Sequence, residues 1–295
     1  MSAARGRFAP SPTGPLHLGS LIAAVASFLD AKARGGDWQV RIEDIDPLRS
    51  RQLHITSILN SLESHGLTWD GPIVYQSARI TRYKAICNDL QSLGAVFACV
   101  CSRKDIRLAS CLPCSRCDQP CRQSADVSWR FRVANREIHF TDRIQGFQSA
   151  SLMPIVEEPV LLRRDGVFAY QLAVVVDDHD TGITDVVRGT DLLSETFAQQ
   201  ALYQVLQWAP PSFAHFPIIV DEQGQKLSKQ SKAPPLDDRR VMQNLLFCMK
   251  FLGMGALADS SIGDDPGSLL RQAIAAWQPG ALQGVRQLMA KPPTS

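Results

Sequence analysis

Apolar residues recur at 18, 21, 22, 25, 28 and 29, the i, i+3/i+4, i+7 spacing of an amphipathic helix, and Gly35-Gly36 marks its end. A short extended segment, Gly6 to Ala9, leads into that helix through a turn rich in Pro and Gly. Trp38 to Ile42 alternates as a strand does. Residues 51–65 return to helical spacing, with Gly66 behind them. Tyr75-Gln-Ser77 predicts the start of a further helix over 78–93, with Ser77 as its N-cap and Gly94 as its stop. Val96 to Val100 is a short strand. The order β-α-β-α-α-β predicts an α/β fold with a parallel, doubly wound, Rossmann-like sheet.

The second half of the pattern is less regular. Ser128 to Asp142 alternates Arg with apolar residues and reads as a β-hairpin around Ala134-Asn-Arg-Glu137. Residues 160–170 suggest a hairpin turning at Asp165-Gly166. The apolar run 172–176 fits a buried strand or a buried helix, and periodicity does not separate the two. A strand and turn follow at 184–193, a helix at 195–207, and a strand at 216–220 that ends in Asp221-Glu-Gln-Gly224. From 236 to 295 the pattern is one of short helices broken by Gly and Pro.

Composition narrows this only at a few points. The chain has 295 residues and 45% hydrophobic content, enough for a substantial core. The net charge of +2 neither demands nor excludes a nucleic-acid partner. No secretory leader pattern and no long apolar run stands in the sequence, so a cytoplasmic protein with no membrane contact is expected. Six of the eight cysteines fall between Cys99 and Cys121, and such clustering favours metal over disulfides. Cys99-x-Cys101, Cys111-x2-Cys114, Cys117 and Cys121 offer more thiols than one tetrahedral zinc takes.

Several polar positions carry candidate chemistry. His17 and Gly19 fall in the first turn of the opening helix, where free N–H groups and the dipole suit a phosphate. Glu43-Asp44-Ile-Asp46 closes a strand at the edge where open α/β sheets hold ligands. Arg7 and Arg188 each offer a guanidinium fork that matches a carboxylate, and two arginines directed at one small molecule imply an acidic substrate. Arg79, Arg82 and Lys84 on one helix, and Arg130, Arg132, Arg136 and Arg143 along the alternating stretch, fit either a solvated face or contacts to RNA phosphates.

Taken together, Arg7-Phe-Ala-Pro-Ser-Pro-Thr-Gly14, His17-Leu-Gly19 and the distant Lys226-Leu-Ser-Lys229-Gln230 resemble the two signatures of class I aminoacyl-tRNA synthetases, in the glutamyl form. Tyr170-Gln-Leu-Ala-Val174 with Val187-Arg-Gly-Thr-Asp-Leu-Leu193 is similar to the queuosine-modifying branch, the glutamyl-queuosine tRNA(Asp) synthetases. Val174 stands where glutamyl-tRNA synthetases tend to carry Asn, and the chain stops where they continue into a large anticodon-binding region. The resemblance implies a catalytic domain over 1–98 and 160–235, an inserted zinc-binding, β-rich subdomain over 99–159 of the kind that holds an acceptor arm, and a helical segment over 236–295. It implies that L-glutamate is activated by ATP with Mg2+, without tRNA, and transferred to queuosine-containing tRNA(Asp) by a monomer. Arg7, Ser11, Glu43, Tyr170 and Arg188 are then the glutamate residues, with Tyr170 at a helix start. Pro12, His17, Gly19, Lys226 and Lys229 are the ATP residues, with His17 and Lys229 catalytic. Zinc falls to Cys99, Cys101, Cys117 and Cys121, although Cys117 replaces a tyrosine common in that branch. A short glutamyl-tRNA synthetase, an enzyme with a non-RNA acceptor and a non-catalytic RNA-binding relative are the rival readings.

Overall fold

The computed structural model describes residues 4–101, 126–133, 136–152, 158–221, 224, 234–258 and 265–289. In chain order the elements are β1 (Arg5–Phe8), α1 (Leu18–Ala33), β2 (Asp37–Ile42), α2 (Gln52–Ser64), β3 (Val74–Tyr75), α3 (Ile80–Ser92), β4 (Val96–Cys99), β5 (Ser128–Phe131), β6 (Arg136–Asp142), β7 (Gly146–Leu152), β8 (Val160–Leu162), α4 (Tyr170–Asp180), β9 (Asp185–Gly189), α5 (Glu195–Leu206), β10 (Ser212–Phe216), β11 (Ile218–Val220), α6 (Val241–Phe251), α7 (Gly255–Ala258), α8 (Pro266–Ala276) and β12 (Gln287–Met289).

The apolar stripe read from the sequence is what α1 buries: Leu21, Ile22, Val25, Phe28 and Leu29 lie in the main core. The two glycines behind it answer separate needs. Gly35 holds a left-handed φ of 66°, whereas a Cβ at Gly36 would run into the Ala4 carbonyl. β1 and β2 then pair in parallel, and β3 continues the sheet beyond β2. β9 and β10 form a second parallel pair. Thr184, just ahead of β9, donates its N–H to the Arg5 carbonyl and takes the Arg5 N–H on its hydroxyl at 2.8 Å. The strands therefore run β3-β2-β1-β9-β10, and the winding reverses between β1 and β9. Open α/β sheets place ligands at the carboxyl ends of strands at such a reversal.

The structure corrects four of the sequence expectations. β4 does not extend the parallel sheet; it pairs antiparallel with β5, which pairs with β8. The alternating stretch 128–142 is not one hairpin, because β5 sits in that sheet while β6 turns back through 143–145 to pair with β7. Alternation reports the exposed face of a strand, not its neighbour. Ser77 does not cap α3. A 3-10 turn, Gln76–Arg79, precedes the helix, and Ser77 instead binds Asp44 with its N–H (2.9 Å) and hydroxyl (2.7 Å). The segment after 236 is not purely helical, since β12 adds in parallel to β11. The turn at Asp165-Gly166 is present, with Leu162 bridging Phe168 across it. The ambiguous run 172–176 is helical. α4 is buried from Gln171 to Asp178, so its sequence carries no polar face to betray the helix.

α4 and α5 pack with α3 and β5 in a second core that includes Tyr83, Phe131, Leu172, Val176 and Leu202. The C-terminal helices close on the first core. Trp277 donates its indole N–H to Asp30 on α1 at 3.1 Å. Ser61 donates to Asp238 at 2.7 Å. Leu236 N–H donates to the Leu16 carbonyl at 2.8 Å, tying the chain to the loop ahead of α1. No helix among the described residues is long and apolar enough to cross a membrane.

Candidate active site

At the carboxyl ends of β1, β2 and β9, beside the start of α1, lies a cavity of about 860 Å³. Arg7, Ser11, His17, Gly19, Glu43, Tyr170 and Arg188 all line it. Residues separated by more than 160 positions in the chain thus meet because the sheet reverses here. Pro12 does not line the cavity. It is buried, its carbonyl accepts from Arg51 N–H, and its neighbours Ser11 and Thr13 face the space. Val174 packs in the second core rather than in the lining. Lys226, Lys229, Cys117 and Cys121 lie outside the described residues.

His17 is the N-cap of α1, and its Nδ1 accepts the Ser20 N–H at 3.3 Å. An acceptor Nδ1 leaves the proton of a neutral imidazole on Nε2, which stands 3.0 Å from Ser20 Oγ. Capping thus orients His17 and gives it a donor on its other nitrogen, beside the amides of the helix start.

Arg7 is 4% exposed, and its Nε and Nη2 donate to the two oxygens of Asp178 at 3.1 and 3.4 Å. Arg41 reaches the same Asp178 at 2.6 Å. Burial works against the Arg41 charge, but Asp178, Glu43 and Asp177 outweigh it and hold its pKa above the ordinary range. Burial would also raise Asp178, yet the two arginines hold its carboxyl below the usual value. Next to it, Asp177 accepts from Gln76, Arg79 and Tyr83. Sequence reasoning missed Asp177, Asp178 and Arg41. The available signal was two adjacent aspartates closing an otherwise apolar run, and an arginine inside an apolar strand.

Glu43 lines the cavity beside this cluster, with its Oε1 3.9 Å from Arg41 Nη2. Burial pushes its carboxyl up to about 7, against the pull of Arg41 and Arg7. Its Oε2 accepts from Ser11 at 3.4 Å, whereas Oε1 is buried without a hydrogen-bond partner. A buried carboxylate oxygen with spare lone pairs, lining a cavity, is suited to an ammonium.

Arg188 is 5% exposed and is held differently. Its Nη1 donates to the Tyr170 hydroxyl at 3.0 Å. Its Nη2 donates to Thr196 and Gln199, each at 2.8 Å, and to the Leu192 carbonyl. Its Nε donates to His215 Nε2 at 3.0 Å. Burial pushes His215 down to about 4 against the pull of Asp142, so the ring is neutral at pH 7. Burial also keeps Tyr170 a protonated phenol by raising its pKa. Among the described residues every hydrogen-bond partner of Arg188 is therefore uncharged. A guanidinium so placed retains its charge for an anionic ligand.

The basic stretches resolve unevenly. Arg79 and Arg82 both pair with Asp180, and Arg143 grips Asp30 with two bonds of 2.9 and 2.7 Å. Arg130 is buried against the Glu158 carbonyl at 2.8 Å. Arg132 lies over the Phe97 ring at 4.8 Å, and Lys84 is exposed. Arg79, Arg82, Arg130 and Arg143 are thus engaged in contacts within the fold. Of the zinc quartet, Cys99 ends β4 and Cys101 follows it. Among the described residues no group of three or more His, Cys, Asp or Glu could hold a metal.

Comparison with known proteins bears on this site. The family described as tRNA synthetases class I (E and Q), catalytic domain, matches residues 3–244. The chain is 43% identical over 274 residues to the glutamyl-Q tRNA(Asp) synthetase of Idiomarina loihiensis, covering 92% of this chain and 96% of that one. It is 44% identical over 285 residues to the glutamyl-Q tRNA(Asp) synthetase of Neisseria meningitidis serogroup C, with 93% and 96% covered. Among solved structures, a glutamate tRNA ligase from Elizabethkingia meningosepticum in complex with its amino acid is similar in fold, with a TM-score of 0.79 at 24% identity over 99% of this chain and 68% of that one.

Proposed function

The chain belongs to the class I tRNA synthetases of the glutamate and glutamine type and, within them, to the glutamyl-Q tRNA(Asp) synthetases; from that premise we propose that it activates L-glutamate with ATP and transfers the glutamyl group to queuosine in the anticodon of tRNA(Asp). In the first step a glutamate α-carboxylate oxygen attacks the α-phosphorus of Mg-ATP, and pyrophosphate leaves. In the second a queuosine hydroxyl attacks the acyl carbon of the adenylate, and AMP leaves. The observation that carries the reading is Arg188, a buried guanidinium in the cavity wall with only uncharged hydrogen-bond partners among the described residues. It would hold the side-chain carboxylate of the substrate through the remaining Nη1 hydrogen, with the Tyr170 hydroxyl beside it. Glu43, helped by Ser11, would take the α-ammonium, and Arg7 would lend positive potential from β1.

ATP would lie along the start of α1. His17 Nε2–H and the amides around Gly19 would face its phosphates, with Pro12 shaping the turn. Lys226 and Lys229 would bring mobile charge to the pyrophosphate as it leaves. No side-chain nucleophile is required, because alignment and charge stabilisation suffice for such a displacement. Zinc, held by Cys99, Cys101, Cys117 and Cys121, would be structural and would brace the insertion. The enzyme would act in the cytoplasm as a monomer.

The test is glutamate-dependent ATP–pyrophosphate exchange without tRNA, followed by glutamylation of tRNA(Asp) with and without queuosine. Exchange without tRNA, and label confined to the queuosine-containing anticodon, is the expected result. Label on unmodified tRNA or at a 3′ end would overturn the acceptor. Metal analysis of the purified protein checks zinc at one ion per chain.

A further inference from the structure

Asp142 stands at the end of β6, beside the turn of the hairpin that β6 forms with β7, and reaches His215 on β10 of the parallel sheet. Its Oδ2 lies 2.6 Å from His215 Nδ1, and its Oδ1 accepts the N–H groups of His215, Ile144 and Gln145. Both side chains are wholly buried. An arginine Nε can only donate, so His215 Nε2 must accept from Arg188. A carboxylate can only accept, so Nδ1 must carry the proton. The two neighbours therefore force one tautomer of a neutral ring. Resting on the glutamate-activating function proposed above, we infer that Asp142 and His215 are positioning residues for glutamate recognition: Asp142 sets the His215 tautomer, and His215 aims the Arg188 guanidinium at the substrate carboxylate without neutralising it.

The arrangement explains why a histidine and not an acid stands between the two. A carboxylate directly on Arg188 would fix the fork equally well but cancel the charge that an acidic substrate needs. One imidazole removed, the Asp142 carboxylate orients the chain of hydrogen bonds from farther away. Glutamate recognition thus depends on a residue whose backbone belongs to the insertion, at a point where Gln145 also bonds the carbonyls of His215 and Val285 at 2.8 Å.

The test uses the full-length protein in exchange assays without tRNA. His215→Leu removes the acceptor and is expected to raise the KM for glutamate about tenfold or more, with kcat and the KM for ATP within about twofold. His215→Gln, which returns an amide acceptor near the Nε2 position, is expected to restore part of the loss. Asp142→Asn touches neither Arg188 nor the cavity. By presenting an amide N–H to Nδ1 it drives the proton to Nε2, where it faces the Arg188 donor, so the glutamate KM is expected to rise in parallel. Nitrogen-15 NMR of the six histidines, with His215→Gln identifying the signal, reads the tautomer directly. Nδ1–H in the wild type is expected. An Nε2–H wild-type ring, or an unchanged glutamate KM in folded His215→Leu, overturns the inference. If a variant fails to fold, the wild-type tautomer decides. If the wild type gives no glutamate-dependent exchange, the function above fails, and the NMR still decides whether Asp142 sets the tautomer.

Discussion

Arg7 and Arg188 stand on neighbouring strands of one sheet, equally buried, and open onto one cavity, yet they are surrounded in opposite ways. Arg7 shares Asp178 with Arg41, and Asp177 and Glu43 complete a cluster in which each positive charge meets a carboxylate. Arg188 meets a phenol, a hydroxyl, an amide, a carbonyl and a neutral imidazole. The first arrangement holds the walls of the site together, because a buried ion pair broken on one side leaves a costly charge behind. The second keeps charge available to a ligand. One residue type thus serves two purposes, and only the partners distinguish them.

Breaking the Arg7 side is expected to have the largest effect. Asp178→Ala strips Arg7 and Arg41 of their shared counter-ion and lowers the unfolding free energy by about 3–5 kcal/mol, read by urea denaturation. A loss below about 1 kcal/mol would mean that the cluster does not depend on this carboxylate. On the other side Arg188→Ala is expected to act on substrate rather than on folding. It should cost about 2–5 kcal/mol in kcat/KM for glutamate, with the KM for ATP little changed. Near-normal exchange in that variant would remove Arg188 from the glutamate pocket.

The third expectation concerns Glu43, which lines the same cavity as the two arginines. An ammonium ligand needs the carboxylate, so the KM for glutamate falls as pH rises through about 7, the value to which burial pushes this group. The change is about tenfold per pH unit below that point, and Glu43→Gln flattens the profile. Stability responds in the opposite sense. Folding raises the proton affinity of Glu43, so its stabilising contribution is complete below the ordinary value of 4.5 and is lost as pH rises through about 7. A glutamate KM that is flat between pH 6 and pH 8 in the wild type would exclude Glu43 as the ammonium site. The smallest effect belongs to the rim. Arg82→Ala, which breaks an exposed pair with Asp180, should change stability by no more than about 0.5 kcal/mol. A larger loss would extend the Arg7 cluster to the surface.

The sequence shows half of this contrast. Arg7 and Arg188 stand out as guanidiniums suited to an acidic ligand, whereas Glu43 and Tyr170 are singled out by the resemblance to the glutamyl synthetases. The β1–α1 corner is legible for a local reason, since period, proline and glycine all fall within one short stretch. What surrounds the arginines is not legible. Asp178 is 171 positions from Arg7, and His215 is 73 from Asp142, so no window contains both partners. His215 in particular sits in an apolar strand and resembles any buried histidine until Arg188 and Asp142 are placed on either side of it. The strand pairings over residues 128–152 fail for the same reason: β5 and β6 both alternate, but only three-dimensional packing assigns one to β4 and β8 and the other to β7. Of the arginines read as candidates for RNA, Arg79, Arg82 and Arg143 are bound to acids far away in the chain, and charge alone does not reveal that.

The seam between β1 and β9 has a kinetic meaning as well. The bond from Arg5 to Thr184 closes a loop of 179 positions, and parallel neighbours so distant pair slowly. During synthesis the first wall of the cavity, with Arg7, His17 and Glu43, leaves the ribosome long before the second. Arg7 has no Asp178, and the cavity has no Arg188, until α4 and β9 have emerged. The cavity is therefore completed only after α4 and β9 have joined its first wall.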